Sequence, residues 1–452
     1  MTAPRTRRVV IVGAGPSGLF AAQALMGQTD VPVSVDLVDR LPAPYGLLRY
    51  GVAPDHTSIK SVATALARTF DHETVRFFGN VEFGRDTTRE ELLAAYDAVV
   101  YAAGASEDTR LGVAGEDLAG SRSAREFVAW YSGHPDAPAQ DLTGVSSAAV
   151  IGVGNVAVDV ARILAKTAES LEVTDMPDAV LAELHRHRCD DIWVVARRGP
   201  QHAAFTTVEL RELVHTLGLA VTVTPDAFDG IDEAALDRRT RANVEILREA
   251  AATVVDNPRR RLHFAFWRRP VAIEGDGRVE ALVVERTRLD DFGRVVGTGE
   301  QSRLPVQLVL RSIGYRSVPL PGVPFDAGRG VVANVEGRVV DADGAVQPRE
   351  YVVGWIKRGP VGVIGTNKSD ASQTVRHLLA DLADLADLGD DPEASEPTVD
   401  LGSALAARGA RVATLADWRT IDAAEIALGE GKGRTRTKIA TWSELLDLCR
   451  GS

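Results

Sequence analysis

Cysteine is almost absent: Cys189 and Cys449 are the only two in 452 residues, and no C-x-x-C pair occurs. This excludes a dithiol redox centre, a cysteine-ligated iron–sulfur cluster and a structural zinc site. No metal site is expected from the pattern. One disulfide is arithmetically open, but a reduced cytoplasmic chain is the expectation. Runs of about 18 apolar residues are also missing, so no membrane span is expected. The apolar stretch near the N-terminus is broken by Gly13, Gly15 and Pro16, which leaves no room for the apolar core of a signal peptide. An excess of positive charge is lacking too. The net charge of −12 argues against general nucleic-acid binding, which needs a basic surface.

Glycine, by contrast, is plentiful. There are 41, many of them in short clusters after β-branched runs. Val9–Val12 reads as a buried strand, followed by a glycine turn, an apolar-periodic helix over Gly18–Met26 and a second strand over Val33–Val38, a βαβ unit. A further strand, Ala98–Ala102, ends in Ala103-Gly104. Ala148–Gly152 opens a second such unit, whose helix carries Val156, Val160, Ile163 and Leu164 on one face and whose next strand is Ile192–Ala196. The middle of the chain, from Val221 to Arg311, reads as strands interleaved with an Arg-rich helix over Glu233–Ala251. Gln307–Leu310 then runs into Ser312-Ile313-Gly314-Tyr315, echoing the exit of the earlier strand at Tyr101–Ala105.

Two matching strand exits around an inserted unit predict an α/β fold with two Rossmann-like dinucleotide-binding domains, one inserted into the other. The expected division is 1–104 for the first part of the outer domain, 105–315 for the inserted domain, and 316–452 for the return segment and a C-terminal extension. The acidic stretch Asp390–Pro397 reads as a linker or surface loop.

The first glycine loop is Gly13-Ala14-Gly15-Pro16-Ser17-Gly18, between a strand and a helix. Its glycines allow a tight turn, close approach of backbone to a pyrophosphate, and helix–strand packing. The helix N-terminus offers free N–H groups and a positive dipole end. An acid should end the next strand to bind a ribose hydroxyl, and Asp39 stands there, 26 positions after Gly13.

The second loop is Gly152-Val153-Gly154-Asn155-Val156-Ala157, with alanine for the third glycine, as in many NADP sites. Its following strand ends in Arg197-Arg198 where an acid would repel a 2′-phosphate. Guanidinium forks accept that phosphate bidentately, so the pair points to NADPH; a solvated arginine pair is the bland reading. The arginines lie 45 positions after Gly152, against roughly 20 in a minimal unit, which predicts an insertion through Thr174–Pro177 with a second short helix. Two loops in nested domains imply FAD plus NADPH. FAD falls to the first loop, because the chain returns there with Val353-Gly354-Trp355 and the glycine-rich 359–366 stretch, which could cover a flavin ring.

Four stretches together resemble the adrenodoxin-reductase-like NADPH–ferredoxin reductases: PYGLLRYGVAPDH (Pro44–His56), GNVAVDVARIL (Gly154–Leu164), WVVARRGP (Trp193–Pro200) and GWIKRGPVGVIGTN (Gly354–Asn367). The resemblance extends over nearly the whole chain. It implies a two-domain flavoprotein that passes hydride from NADPH to FAD and then single electrons to a ferredoxin. It further implies FAD contacts at Ala14, Asp39, Leu47, Val81, Trp355, Gly362, Val363 and Ile364. NADP contacts are implied at Val153 to Val156, Arg197, Arg198, Glu209 and Gly362, with Arg110 a further cofactor candidate. Asp39 departs from the glutamate of many relatives and so reaches less far.

From their places in the family motifs, His56, Asp159 and Glu212 are candidates for a proton relay or for electrostatic tuning. Each also has a plain structural role open to it: a turn end for His56, a helix dipole for Asp159, a solvated helix position for Glu212. Ferredoxins are acidic, so docking calls for local positive charge, with Arg211, Arg238, Arg239 and Arg241 as candidates and Arg259–Arg261 farther along. An NADPH-oxidising flavoprotein subunit or diaphorase with another acceptor is the alternative. The glutamate-synthase type, however, carries N-terminal cysteine clusters absent here, and a thioredoxin-reductase-like role fails on the missing C-x-x-C. A nucleotide-binding regulator without turnover is the alternative from another class.

Overall fold

A computed structural model describes residues 5–56, 61–362, 364–387 and 400–449. The acidic Asp390–Pro397 stretch and Val363 lie outside the described residues.

Val9, Val10 and Ile11 are fully buried, as a strand covered on both faces requires. Arg7–Val12 is central in a seven-stranded sheet with the order 334–335, 338–340, 346–352, 98–101, 7–12, 33–38, 75–78. Its last five strands are parallel and its first two are antiparallel. Strands from both ends of the chain meet here, at Tyr351↔Val100.

A second sheet comes wholly from the middle of the chain. Its six parallel strands run in the order 121–123, 308–311, 147–151, 191–195, 260–265, 219–223. The inserted-domain architecture follows from this division. The chain crosses between the two lobes on an antiparallel ribbon in which Tyr315 and Arg316 pair with Asp108 and Glu107.

Both glycine loops turn for the same reason. Gly13 has φ +113, and a Cβ there would lie 2.5 Å from the Ala102 carbonyl oxygen; Gly152 has φ +131, and its Cβ would lie 2.1 Å from the Ser312 carbonyl oxygen. Each loop is therefore pressed against the exit of a neighbouring strand, where no side chain fits. The helix after the first loop starts at Pro16, ahead of the expected Gly18, because proline is preformed for a first helical turn. Its Leu19, Ala22 and Leu25 share a core with Ala371, Val375 and Leu378 of the long returning helix Ile364–Asp387. Each fully buried large apolar chain contributes about 1.5–3 kcal/mol.

The expected 174–177 insertion carries two helices, Ala168–Leu171 and Asp178–Arg186, instead of one. The Arg-rich helix is shorter at its start than expected, Arg238–Ala252, because Asp237 caps the N–H groups of Arg239 (2.8 Å) and Thr240 (3.0 Å). Glu233–Ala235 forms only a separate 3₁₀ turn. Beyond the parallel sheet, Arg268–Glu274, Ala281–Leu289 and Val295–Pro305 form an antiparallel meander. The C-terminal helices Leu415–Glu430 and Trp442–Leu448 contribute Trp418, Ile421 and Leu445 to the core of the outer lobe.

Candidate functional site

Asp39 stands just past the second strand because the Val33–Val38 run is consumed by the sheet. Its Oδ2 accepts from Ala14 N (2.7 Å) and its Oδ1 from Leu41 N (2.9 Å). Burial pushes its pKa up, against the pull of those two N–H groups. Each oxygen keeps a lone pair for a ribose hydroxyl.

Asp39 opens onto a cavity of about 1150 Å³ that also exposes Gly13, Gly15, Ser17, Leu47, Val81, Trp355 and Gly362. Ala14 lies buried just behind it, and Gly18 packs against the turn, where a Cβ would lie 2.0 Å from the Gly13 carbonyl oxygen. Ile364 begins the returning helix. The indole Nε1 of Trp355 is buried and has no hydrogen-bond partner among the described residues. Trp355 is one wall of the cavity, and an aromatic wall with an unpaired donor fits a ring system with acceptors, as a flavin is. Tyr315, at the second crossing between lobes, lies 5.5 Å from the Trp355 ring and lines the same cavity. So do Arg125, Val128 and His134 from the inserted lobe. Tyr315 closes the second strand-exit motif, but the sequence carried no motif at Arg125, Val128 or His134, which reach the cavity only through the packing of two lobes.

In the second loop, Gly154 precedes the helix Asn155–Ala165, which has no side-chain cap, so its first N–H groups stay available. Asn155 Oδ1 accepts from Thr206 N at 2.8 Å, and the Val153 carbonyl accepts from Ala204 N and Phe205 N. Val156 projects into the large cavity of the other lobe. Arg197 is exposed, and Arg198 is half-buried. Arg198 makes a single long bond, from Nη2 to the Gly293 carbonyl at 3.5 Å, and its Nε has no partner among the described residues. Arg110 is placed elsewhere: it is exposed, bonds Asp117 at 2.6 Å and does not line the cavity.

The candidate relay residues come together across the lobe boundary. His56 Nε2 lies 2.9 Å from Asp159 Oδ1 and 2.7 Å from Glu209 Oε2, and its Nδ1 lies 3.3 Å from Glu212 Oε2. Burial opposes a charge on His56, but the hydrogen bonds to Asp159 and Glu209 outweigh it and push its pKa up to about 9. Glu209, implied above as an NADP contact, directs its carboxylate to His56 and Arg162 here.

Arg162 escaped the sequence reading. It is fully buried, forks onto Asp55 (2.9 and 3.0 Å) and meets Asp159 at 2.8 Å. It lies within the quoted GNVAVDVARIL stretch, but only the fold sets it facing Asp55. Burial would raise the Asp55 pKa, but the bonds from Arg162 and Lys166 hold its carboxyl well below the usual range. His56, Glu209 and Glu212 also offer ligand atoms within 4.8 Å of one another. Arg162 Nη1, 3.4 Å from Glu209 and 3.9 Å from Glu212, supplies the positive charge there.

The docking arginines separate into two groups. Arg211, on the same short helix as Glu209 and Glu212, lines a surface cavity of about 590 Å³ with Arg238 and Arg239. Arg241 is tied back onto the carbonyls of Glu233 (3.1 Å) and Leu236 (3.2 Å). Of the farther run, Arg261 is held by Asp191.

Nested dinucleotide lobes sharing one cavity define an oxidoreductase of the pyridine-nucleotide type, and the family model for pyridine nucleotide-disulphide oxidoreductases matches residues 7–197. The chain is 45% identical over 457 residues to the NADPH-ferredoxin reductase FprA of Mycobacterium tuberculosis, covering 98% of this chain and 99% of the relative. It is 39% identical over 468 residues to the human mitochondrial NADPH:adrenodoxin oxidoreductase, covering 99% and 93%. The structure of Mycobacterium tuberculosis FprA in complex with NADPH superposes with a TM-score of 0.92 at 44% identity, over 99% of this chain and 100% of that one. The chain therefore belongs to the family of NADPH–ferredoxin and NADPH:adrenodoxin reductases.

Proposed function

We propose that the protein is an NADPH:ferredoxin oxidoreductase that uses FAD. The observation that carries this reading is Val156: the second glycine loop reaches into the cavity built on the first. When bound, the flavin accepts hydride from the nicotinamide and releases electrons singly.

The protein's own residues bind, orient and hold charge. The glycine turn at Gly13–Gly18 and the acceptors of Asp39 hold the adenosine diphosphate of FAD. Trp355 and Tyr315 cover its ring and exclude water. The Asn155 helix N-terminus takes the pyrophosphate of NADPH, and Arg197 and Arg198 take its 2′-phosphate. His56 holds a proton among the carboxylates of the inserted lobe, with Arg162 Nη2 2.6 Å from its Nε2, and tunes the charge beside the site. Glu212, partly exposed, links that proton to solvent.

The lobes divide as 1–104 with 316–452 for FAD and 105–315 for NADPH. A ferredoxin docks on the basic surface of Arg211, Arg238 and Arg239. The two cysteines are free, which suits a cytoplasmic protein. Among the described residues no helix is long and apolar enough to cross a membrane.

The test is anaerobic titration of the purified protein with NADPH and, separately, NADH, following the visible flavin absorbance. Bleaching by NADPH at far lower concentration than NADH is expected. A colourless protein, or a flavin that neither nucleotide bleaches, would overturn the proposal.

A further inference from the structure

The C-terminal extension does more than fill the outer core. Lys438, with its side chain only 3% exposed, donates from Nζ to the Arg49 carbonyl at 2.6 Å and to the Ser132 carbonyl at 3.1 Å, and pairs with Asp175 at 3.3 Å. Arg49 belongs to the FAD lobe; Ser132 and Asp175 belong to the inserted lobe. One buried cation thus bonds both lobes at once.

Its surroundings repeat the pattern. On one side, Glu425 receives the Arg49 guanidinium in two bonds (3.0 and 2.5 Å) and the Ile439 N–H (2.9 Å), clamping the extension to the Leu47–Tyr50 turn. On the other side, Lys432 and Arg434 pair with Asp178, and Trp442 Nε1 donates to Asp136 at 2.6 Å. The Lys438 ammonium lies 5.9 Å from the Tyr50 ring, and that ring meets His134 edge-on at 4.9 Å. Tyr50 and His134 are walls of the cofactor cavity contributed by different lobes. Lys438 is fastened where the two walls touch.

We infer that the segment from Leu415 to Leu448 is a tie between the lobes and that Lys438 is a positioning residue for hydride transfer, setting how closely the nicotinamide lobe is held over the flavin cavity. This rests on the function proposed above. A buried ammonium with three oxygen partners tolerates little displacement, because any opening leaves the Asp175 carboxylate and two carbonyls short of a partner. Hydride transfer is steep in distance, and a misplacement of about 1 Å costs roughly 100-fold in rate. A slack tie therefore slows reduction while leaving each nucleotide's own contacts in place.

The experiment compares the wild-type holoenzyme with Lys438→Met, which keeps the length and bulk of the chain. Stopped-flow bleaching by NADPH, the long-wavelength charge-transfer absorbance between nicotinamide and flavin, the Kd for NADP+, and amide exchange at residues 132–137 are measured. The expected result is retained flavin, a Kd within about twofold, roughly tenfold slower bleaching, weaker charge-transfer absorbance and faster exchange at 132–137. A flavin-loaded Lys438→Met protein with wild-type bleaching, absorbance and exchange would overturn the inference.

If that variant yields no flavoprotein, the triple variant Lys432→Gln/Arg434→Gln/Trp442→Phe decides. It removes contacts nearer the surface on the inserted lobe, and about threefold slower bleaching with weaker charge-transfer absorbance is expected. Wild-type values for both would again overturn the tie. A wild-type protein that NADPH does not bleach would overturn the proposed function itself.

Discussion

His56 and Asp159 belong to different lobes, yet Nε2 of one lies 2.9 Å from Oδ1 of the other. The pair makes the proton state of a histidine a property of the lobe interface. With its pKa raised from the ordinary 6.5 to about 9, His56 contributes stability that is fully present below about pH 6.5 and is lost as pH rises through about 9. The stability advantage of the wild-type protein over His56→Ala should therefore be larger at pH 6 than at about pH 9.5, by roughly 2–3 kcal/mol. Melting curves across that range check this. The same substitution should slow electron output to ferredoxin or shift its pH profile; an unaltered profile from pH 6 to pH 9 would remove His56 from the site.

The proposed 2′-phosphate site at Arg197 and Arg198 predicts a choice between nucleotides. Replacing either by alanine should raise the KM for NADPH about tenfold or more, since a hydrogen bond to a charged group is worth about 1.5–3 kcal/mol. The KM for NADH should stay within about twofold, because NADH carries no 2′-phosphate. Steady-state kinetics with both nucleotides check this. An equal change for the two would mean that the pair is only solvated surface.

Gly13 tolerates no side chain. Its φ of +113 and the 2.5 Å between a built Cβ and the Ala102 carbonyl oxygen demand that the loop move. Gly13→Ala should yield protein with little or no bound flavin, read from the ratio of visible to ultraviolet absorbance. A fully yellow variant would show that the loop has room that its geometry denies.

The surface arginines predict a split in salt response. Exposed charges are screened over about 8–10 Å at 0.1–0.15 M salt, so turnover with ferredoxin should fall as salt rises while turnover with ferricyanide hardly changes. Gln at Arg211, Arg238 and Arg239 together should raise the KM for ferredoxin about tenfold and flatten its salt dependence. Arg241→Gln should do neither, because that guanidinium is committed to the Glu233 and Leu236 carbonyls.

Glu425 tests the clamp on the outer lobe. It is wholly buried against Arg49, and Glu425→Gln leaves that guanidinium short of its counter-charge. A loss of about 3–5 kcal/mol in stability to denaturant is expected, with the transition midpoint shifting much more than its slope.

By itself the sequence determined whatever depends on neighbours a few residues apart. The β-branched runs, the glycines after them and the polar residues at the strand ends each act through local backbone geometry, so both loops, Asp39 and the Arg197-Arg198 pair were legible before any contact was known. The nesting of lobes was legible too, because the strand exits at Tyr101 and Leu310 repeat the same pattern. Helix starts were less so: Asp237 moved one by capping it five residues later than composition suggested.

Only the tertiary structure decided which residues meet. His56 and Asp159 are 103 positions apart, and Lys438 and Ser132 are 306 apart. No periodicity links such pairs. Arg162 reads as any helical arginine until the inserted lobe folds back onto Asp55, and the C-terminal extension gives no sign of a role at the lobe boundary until Lys438 is enclosed between two lobes. Charges at such distances are paired by the closure of the whole chain, and that closure is set by packing across the interface, which no short stretch of sequence contains.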